Sequence, residues 1–233
     1  MIHYYDWAGG REAVFGLGPA AGPVVVFALP LLEEHNRTRT FVVTLMRALA
    51  KHGIASALPD LPGTGESLTP MCAIDLAVWH QAFTASVVAE AVNGRTVFGA
   101  GIRGGALLDT AADVAGRWHF APLTGAAQVR ELMRLANMGR PAGAAALRLD
   151  ELAASEEQAV EIAGTSVPAK LLLQLEGVNP AAARVVRLEG DGGPCTRSIA
   201  GATLWRRAEP DNDPELAQHL ADDIADWIAA CAA

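Results

Sequence analysis

The sequence has no run of 18 uninterrupted apolar residues, and Met1 to Gly10 hold no basic region followed by an apolar stretch. A membrane-spanning helix needs about 20 apolar residues and a secretory leader needs that two-part pattern, so neither insertion nor export is expected. The cytoplasm is the expected compartment. Basic charge is also short: 18 Lys and Arg stand against 26 Asp and Glu, giving a net charge of -8. Nucleic acid and anionic membrane surfaces call for the opposite sign, so neither is an expected partner. The three cysteines, Cys72, Cys195 and Cys231, are far apart and form no CxxC pair. That spacing disfavours a disulfide framework and a zinc site, and free thiols are expected with no metal and no cofactor.

What is present suits one α/β domain spanning residues 1–233, since 51% of residues are hydrophobic and 19% charged. Pro23 to Leu29 (PVVVFAL) is an unbroken, β-branched run of the kind buried on both faces of a parallel sheet. Helical spacing follows over 38–52 through Phe41, Leu45 and Leu49. The signal repeats: a strand over 54–58, a helix over 74–92 stopped by Asn93 and Gly94, and strands over 95–98, 117–122 and 184–189. Such alternation predicts a mostly parallel, doubly wound sheet. Residues 125–175 break the rhythm, being alanine-rich and helical, and are expected to form a helical cap. Between Glu189 and the run 195–205 there is no room for a helix, so the last two strands are expected to pair antiparallel, or the final strand to be irregular. A helix over 214–230 ends the domain.

The strand at 95–98 runs into Gly99, Ala100, Gly101, Ile102, Arg103, Gly104, Gly105, with helical character expected over 106–114. Gly101 and Gly105 are spaced as in the nucleophile elbow of serine hydrolases, GxSxG, where a strand turns sharply into a helix and exposes the central residue. Here that residue is Arg103. A guanidinium stays protonated and cannot attack a carbonyl, so serine-type covalent catalysis is not expected from it. Its alternatives are to bind a carboxylate, to organise neighbouring acids, or to serve as a buried structural ion pair. The same glycines satisfy GxGxxG, yet no acidic residue follows the next strand to hold a ribose, and dinucleotide binding is not expected.

The segment leaving the first strand, Pro30 to Arg39, carries Glu33, Glu34, His35, Arg37 and Arg39 within seven residues. As the loop beside the elbow, it would bring Glu33 or Glu34 against Arg103; the alternative is a solvated loop in which Asn36 or Thr38 caps the helix. No histidine occupies the loop after the last strand, where a catalytic base would stand. His35 is the only histidine expected near the site. Ser67 reads as a helix cap, and Cys195 has no histidine to activate it.

With these residues assembled, the chain resembles the second type of exosortase A system-associated hydrolase, a bacterial α/β-hydrolase-like family linked to exopolysaccharide and protein-sorting loci. Pro30 to Arg39 resembles the family's proline, paired glutamates, asparagine and arginine, and Leu58 to Ser67 its DxxGxGxS loop. Gly101 to Leu108 (GIRGGALL) matches an elbow that itself carries arginine, while Trp118 to Arg134 and Glu161 to Leu175 are similar to the stretches around its cap. The resemblance implies an α/β-hydrolase-like fold and marks Glu33, Glu34, Asn36, Arg39, Asp60, Ser67 and Arg103 as site positions. Two departures are a shortened region between the last two strands and Gly104 in place of a bulkier apolar residue.

Two functions are compatible with this reading. One is a hydrolase acting through activated water, with Glu33 or Glu34 as base and Arg103 stabilising negative charge, and with Asn36, Arg39, Asp60 and Ser67 in binding roles. The other is a non-catalytic protein that uses the same cleft for a small anionic ligand or a protein partner.

Overall fold

The computed structural model describes residues 1–154 and 158–231. An eight-stranded sheet runs in the order β1-β2-β4-β3-β5-β6-β9-β10. Its centre is β3 (Val24–Ala28), flanked by β4 (Ala55–Pro59) and β5 (Val97–Ile102), then β6 (Arg117–Phe120) and β9 (Arg184–Leu188), all parallel. The mostly parallel, doubly wound sheet read from the sequence is therefore the observed one. The strands β1 (Ile2–Trp7) and β2 (Gly10–Leu17) add an antiparallel hairpin against β4 that the sequence pattern did not bring out.

Both faces of the sheet are covered, which is why β3 is apolar at every position. Val24, Val26 and Ala28 enter one core with helix α2 (Leu76–Glu90), while Val25, Phe27 and Leu29 enter a second core with α1 (Glu33–Lys51) and α6 (Pro214–Cys231). Side chains alternate across a strand, so a doubly covered strand must be apolar on every residue.

Between β6 and β9 lie α3 (Gly125–Met138), α4 (Leu149–Leu152), a hairpin of β7 (Ala159–Ile162) and β8 (Thr165–Pro168), and α5 (Ala169–Glu176). The insertion is thus helical with a hairpin at its centre. It packs through Leu132, Val160, Ile162 and Leu171 into the α2 core.

Two local expectations are corrected. The last strand, β10 (Arg197–Ile199), pairs parallel with β9, not antiparallel. It is only three residues long, about 10 Å at 3.3 Å per residue, so the loop from Glu189 to Thr196 can return along it without a helix. That return is pinned where Arg187 Nε donates to the Pro194 carbonyl (3.2 Å) and the Thr196 amide to the Val185 carbonyl (2.7 Å). The helix expected over 106–114 is absent, and a single 3-10 turn covers Arg103–Leu107. The Arg117 guanidinium claims the Asp109 and Ala112 carbonyls that a helix would have used.

Candidate functional site

The elbow is built by sterics. A Cβ on Gly101 would lie 2.5 Å from the Ala106 Cα, and one on Gly105 would lie 2.2 Å from the Ala28 carbonyl oxygen. Only glycine fits at either place, and the chain between them is forced through a sharp turn. Arg103, at the tip, takes φ 54, a left-handed conformation that costs an L-residue about 1 kcal/mol or more. Leu32 (φ 53), following β3, and Ala121 (φ 47), following β6, are strained in the same sense. Backbone strain thus gathers at the carboxyl ends of three adjacent strands, where open α/β sheets bind their ligands.

Helix α1 begins at Glu33 rather than near Thr38, so the charged segment is the helix's first turns and not a loop. Its N-cap, Leu32, offers no side-chain cap; Glu33 and Glu34 sit instead where the helix dipole favours anions. Thr38 does not cap: its hydroxyl donates back to the Glu34 carbonyl at 2.8 Å.

Arg103 and Glu34 meet as one reading of the sequence required. The Arg103 Nε and Nη2 donate to Glu34 Oε2 and Oε1 at 3.3 and 3.2 Å, and Nη2 also donates to Glu131 Oε2 at 2.8 Å. The guanidinium carbon lies 4.6 Å from the Trp205 ring centroid, adding a cation–π contact. Arg103 is 5% exposed. Glu33 does not reach it, pairing instead with Arg37 at 2.9 Å. Burial raises the Glu34 carboxyl above its usual range, and the charge and hydrogen bonds of Arg103 only partly offset that.

Above the elbow opens a cavity of about 480 Å³, lined by α1, the elbow, α3 and the turn Leu204–Arg206. This falls within the size of ordinary small-molecule sites, roughly 300–1,000 Å³. Three carboxylates (Glu33, Glu34, Glu131) and four guanidiniums (Arg37, Arg103, Arg134, Arg206) face it. Among the described residues Arg134 and Arg206 make no ion pair, and both are exposed. Three buried polar atoms of the lining, Gln128 Oε1, Trp205 Nε1 and Arg37 Nε, have no hydrogen-bond partner among the described residues.

The remaining sequence candidates are elsewhere. Arg39 and Asp60 pair at 2.7 Å, and the Glu66 amide donates to the second Asp60 oxygen at 3.2 Å. Ser67 accepts from the amides of Gly63 and Thr69, each at 3.1 Å, and donates to Glu12 at 2.8 Å. His35, 8% exposed, contacts Arg39 at 3.3 Å, and burial lowers its pKa to about 4. Asn36 is exposed beside Gly63 and Thr64, in a separate depression. The three cysteines are free and exposed, and no cluster of metal-binding type occurs among the described residues. No helix there is long and apolar enough to cross a membrane.

Sequence reasoning missed Glu131, Gln128, Arg134 and Trp205. The available signal was the aromatic and basic run Trp205, Arg206, Arg207, in the stretch where a catalytic histidine would stand.

No family model and no curated protein matches the sequence. Solved structures do resemble the fold. The ferulic-acid complex of Est1E from Butyrivibrio proteoclasticus matches with a TM-score of 0.66 at 14% identity over 98% of both chains. A haloalkane dehalogenase loop variant from Bradyrhizobium elkanii matches with 0.62 at 13% identity, covering 99% of this chain and 97% of the other. A hydrolase from Agrobacterium vitis S4, described as putative, matches with 0.59 at 13% identity over 99% and 97%. The chain has an α/β-hydrolase-like fold.

Proposed function

We propose that this chain uses the α/β-hydrolase scaffold to bind a small anionic ligand in the cavity above the elbow, without forming an acyl-enzyme. One observation carries the reading: Arg103, at the elbow tip, is committed through Nε and Nη2 to Glu34 and Glu131 and stacks on Trp205, while Arg134 and Arg206 stand at the same cavity with no ion-pair partner among the described residues. Unpaired guanidiniums over a partly desolvated floor are suited to a carboxylate or phosphate. The insertion that supplies α3 serves as the cap of this site. The resemblance of Pro30 to Arg39, Leu58 to Ser67 and Gly101 to Leu108 to the exosortase-associated hydrolases supports assignment to that group, with the cytoplasm as the proposed compartment.

The test is a thermal-shift titration with acetate and with inorganic phosphate. At least one should raise the melting temperature of the parent protein, and the doubly substituted R134A/R206A protein should show no such rise. A rise that persists unchanged in R134A/R206A, or no response of the parent to these anions or to any larger carboxylate or phosphate, overturns the proposal.

A second reading, hydrolysis through water activated by Glu34, is favoured by the raised Glu34 carboxyl beside a strained elbow. It predicts turnover of an ester, thioester or glycan that disappears in the folded E34Q protein. A blank screen, with R103A equally blank, removes it.

A further inference from the structure

The floor of the cavity narrows what the anion must carry. Gln128 is 1% exposed and projects its Oε1 over the elbow, within 2.1 Å of where a Gly104 Cβ would stand. A glycine at 104 therefore leaves room for an amide oxygen that then finds no donor among the described residues. Trp205, 3% exposed, presents the opposite problem, an indole N–H without an acceptor among them. Leaving a buried polar atom unpaired costs roughly 1–3 kcal/mol, so one acceptor and one donor together favour a ligand that answers both. A hydroxyl is the neutral group that donates and accepts at a single atom. Glu131, with its side chain 36% exposed, offers a further acceptor for hydroxyls. A simple anion such as acetate would satisfy the rim arginines and leave the floor unanswered.

We infer that the ligand is a hydroxylated small acid, an oxyanion carried on a polyol frame, as in sugar acids and sugar phosphates. This rests on the anion-binding reading of the same cavity. The oxyanion lies between Arg134 and Arg206, and the hydroxyls reach Gln128, Trp205 and Glu131.

Calorimetric titration of gluconate, glucose 6-phosphate, glucose, acetate and inorganic phosphate separates the possibilities. Gluconate or glucose 6-phosphate should bind at least about tenfold tighter than glucose, acetate or phosphate, the better of the two identifying a carboxylate or a phosphate head. The Q128L variant should lose about tenfold for that ligand and nothing for the simple anions. If acetate or phosphate binds as tightly as the hydroxylated acids, this inference falls while anion binding stands. If glucose binds as tightly as gluconate and glucose 6-phosphate, the anion reading falls with it. Absence of binding by all five overturns both.

Discussion

Helix α1 carries an acid and arginine cluster on each flank, one over the elbow and one beneath the loop after β4, and the two are finished differently. At the second, Asp60 is 2% exposed and both carboxylate oxygens are met, by Arg39 and by the Glu66 amide, while its carbonyl receives the Tyr5 hydroxyl at 2.9 Å. Ser67 is closed in the same way by two amides and Glu12. Over the elbow, Glu34 and Arg103 are equally well paired, but the wall around them keeps unmatched cations and unmatched buried polar atoms. Residue type therefore does not separate the two clusters. Completeness of pairing does, and since a buried polar group is ordinarily satisfied, the exceptions at the elbow cavity ask for a reason.

The largest effects should come from the elbow glycines. The G105A substitution drives a Cβ into the Ala28 backbone and should cost at least about 4 kcal/mol, seen as loss of the cooperative melt. G104A meets the Gln128 side chain, which can swing away, so the protein should fold while the cavity floor changes. Equal damage from both would remove the distinction between scaffold and site.

The fully paired cluster should carry the fold. D60A strips Arg39, Glu66 and the loop of their anchor and is expected to lower unfolding free energy by about 3 kcal/mol in denaturant titration. His35 adds an acid signature to this flank. Its folded pKa, about 4, lies below the ordinary 6.5, so the unfolded chain binds the proton first. Stability is present above 6.5 and is lost as pH falls towards 4, by roughly 3 kcal/mol at most. H35Q should flatten that slope.

The open cluster should respond with the opposite sign. Glu34 is raised in the folded state, so its contribution is favourable below the ordinary carboxylate range and is lost as pH rises through the folded value. E34Q should therefore melt higher than the parent at pH 7, the gap closing below pH 4.5. Smallest of all, R134A and R206A should each change stability by less than about 0.5 kcal/mol, as exposed side chains without ion pairs. A large loss in either would make the rim structural and erase the contrast.

The central strands were legible because burial on both faces leaves a continuous apolar run that needs no partner to recognise. The elbow was legible because two glycines at fixed spacing are a steric requirement. The start of α1 was not, since Leu32 enters the helix through a strained φ and not through a capping side chain. Nor was the missing helix after Leu107, where a guanidinium from Arg117, ten residues along the chain, takes the carbonyls. The meeting of Glu131 and Trp205 with Arg103 lay beyond reach for a similar reason. They join Arg103 from segments brought close only by the folded sheet, and local periodicity carries no trace of that meeting.

The left-handed turn at Arg103 has a further consequence for protein engineering. Its geometry is dictated by backbone contacts of Gly101 and Gly105, and the guanidinium plays no part in them. The turn is a socket with an exchangeable insert. Serine, cysteine or aspartate placed there would inherit the same aim over the cavity, which makes this fold a starting point for installing a nucleophile instead of a site from which one must be removed.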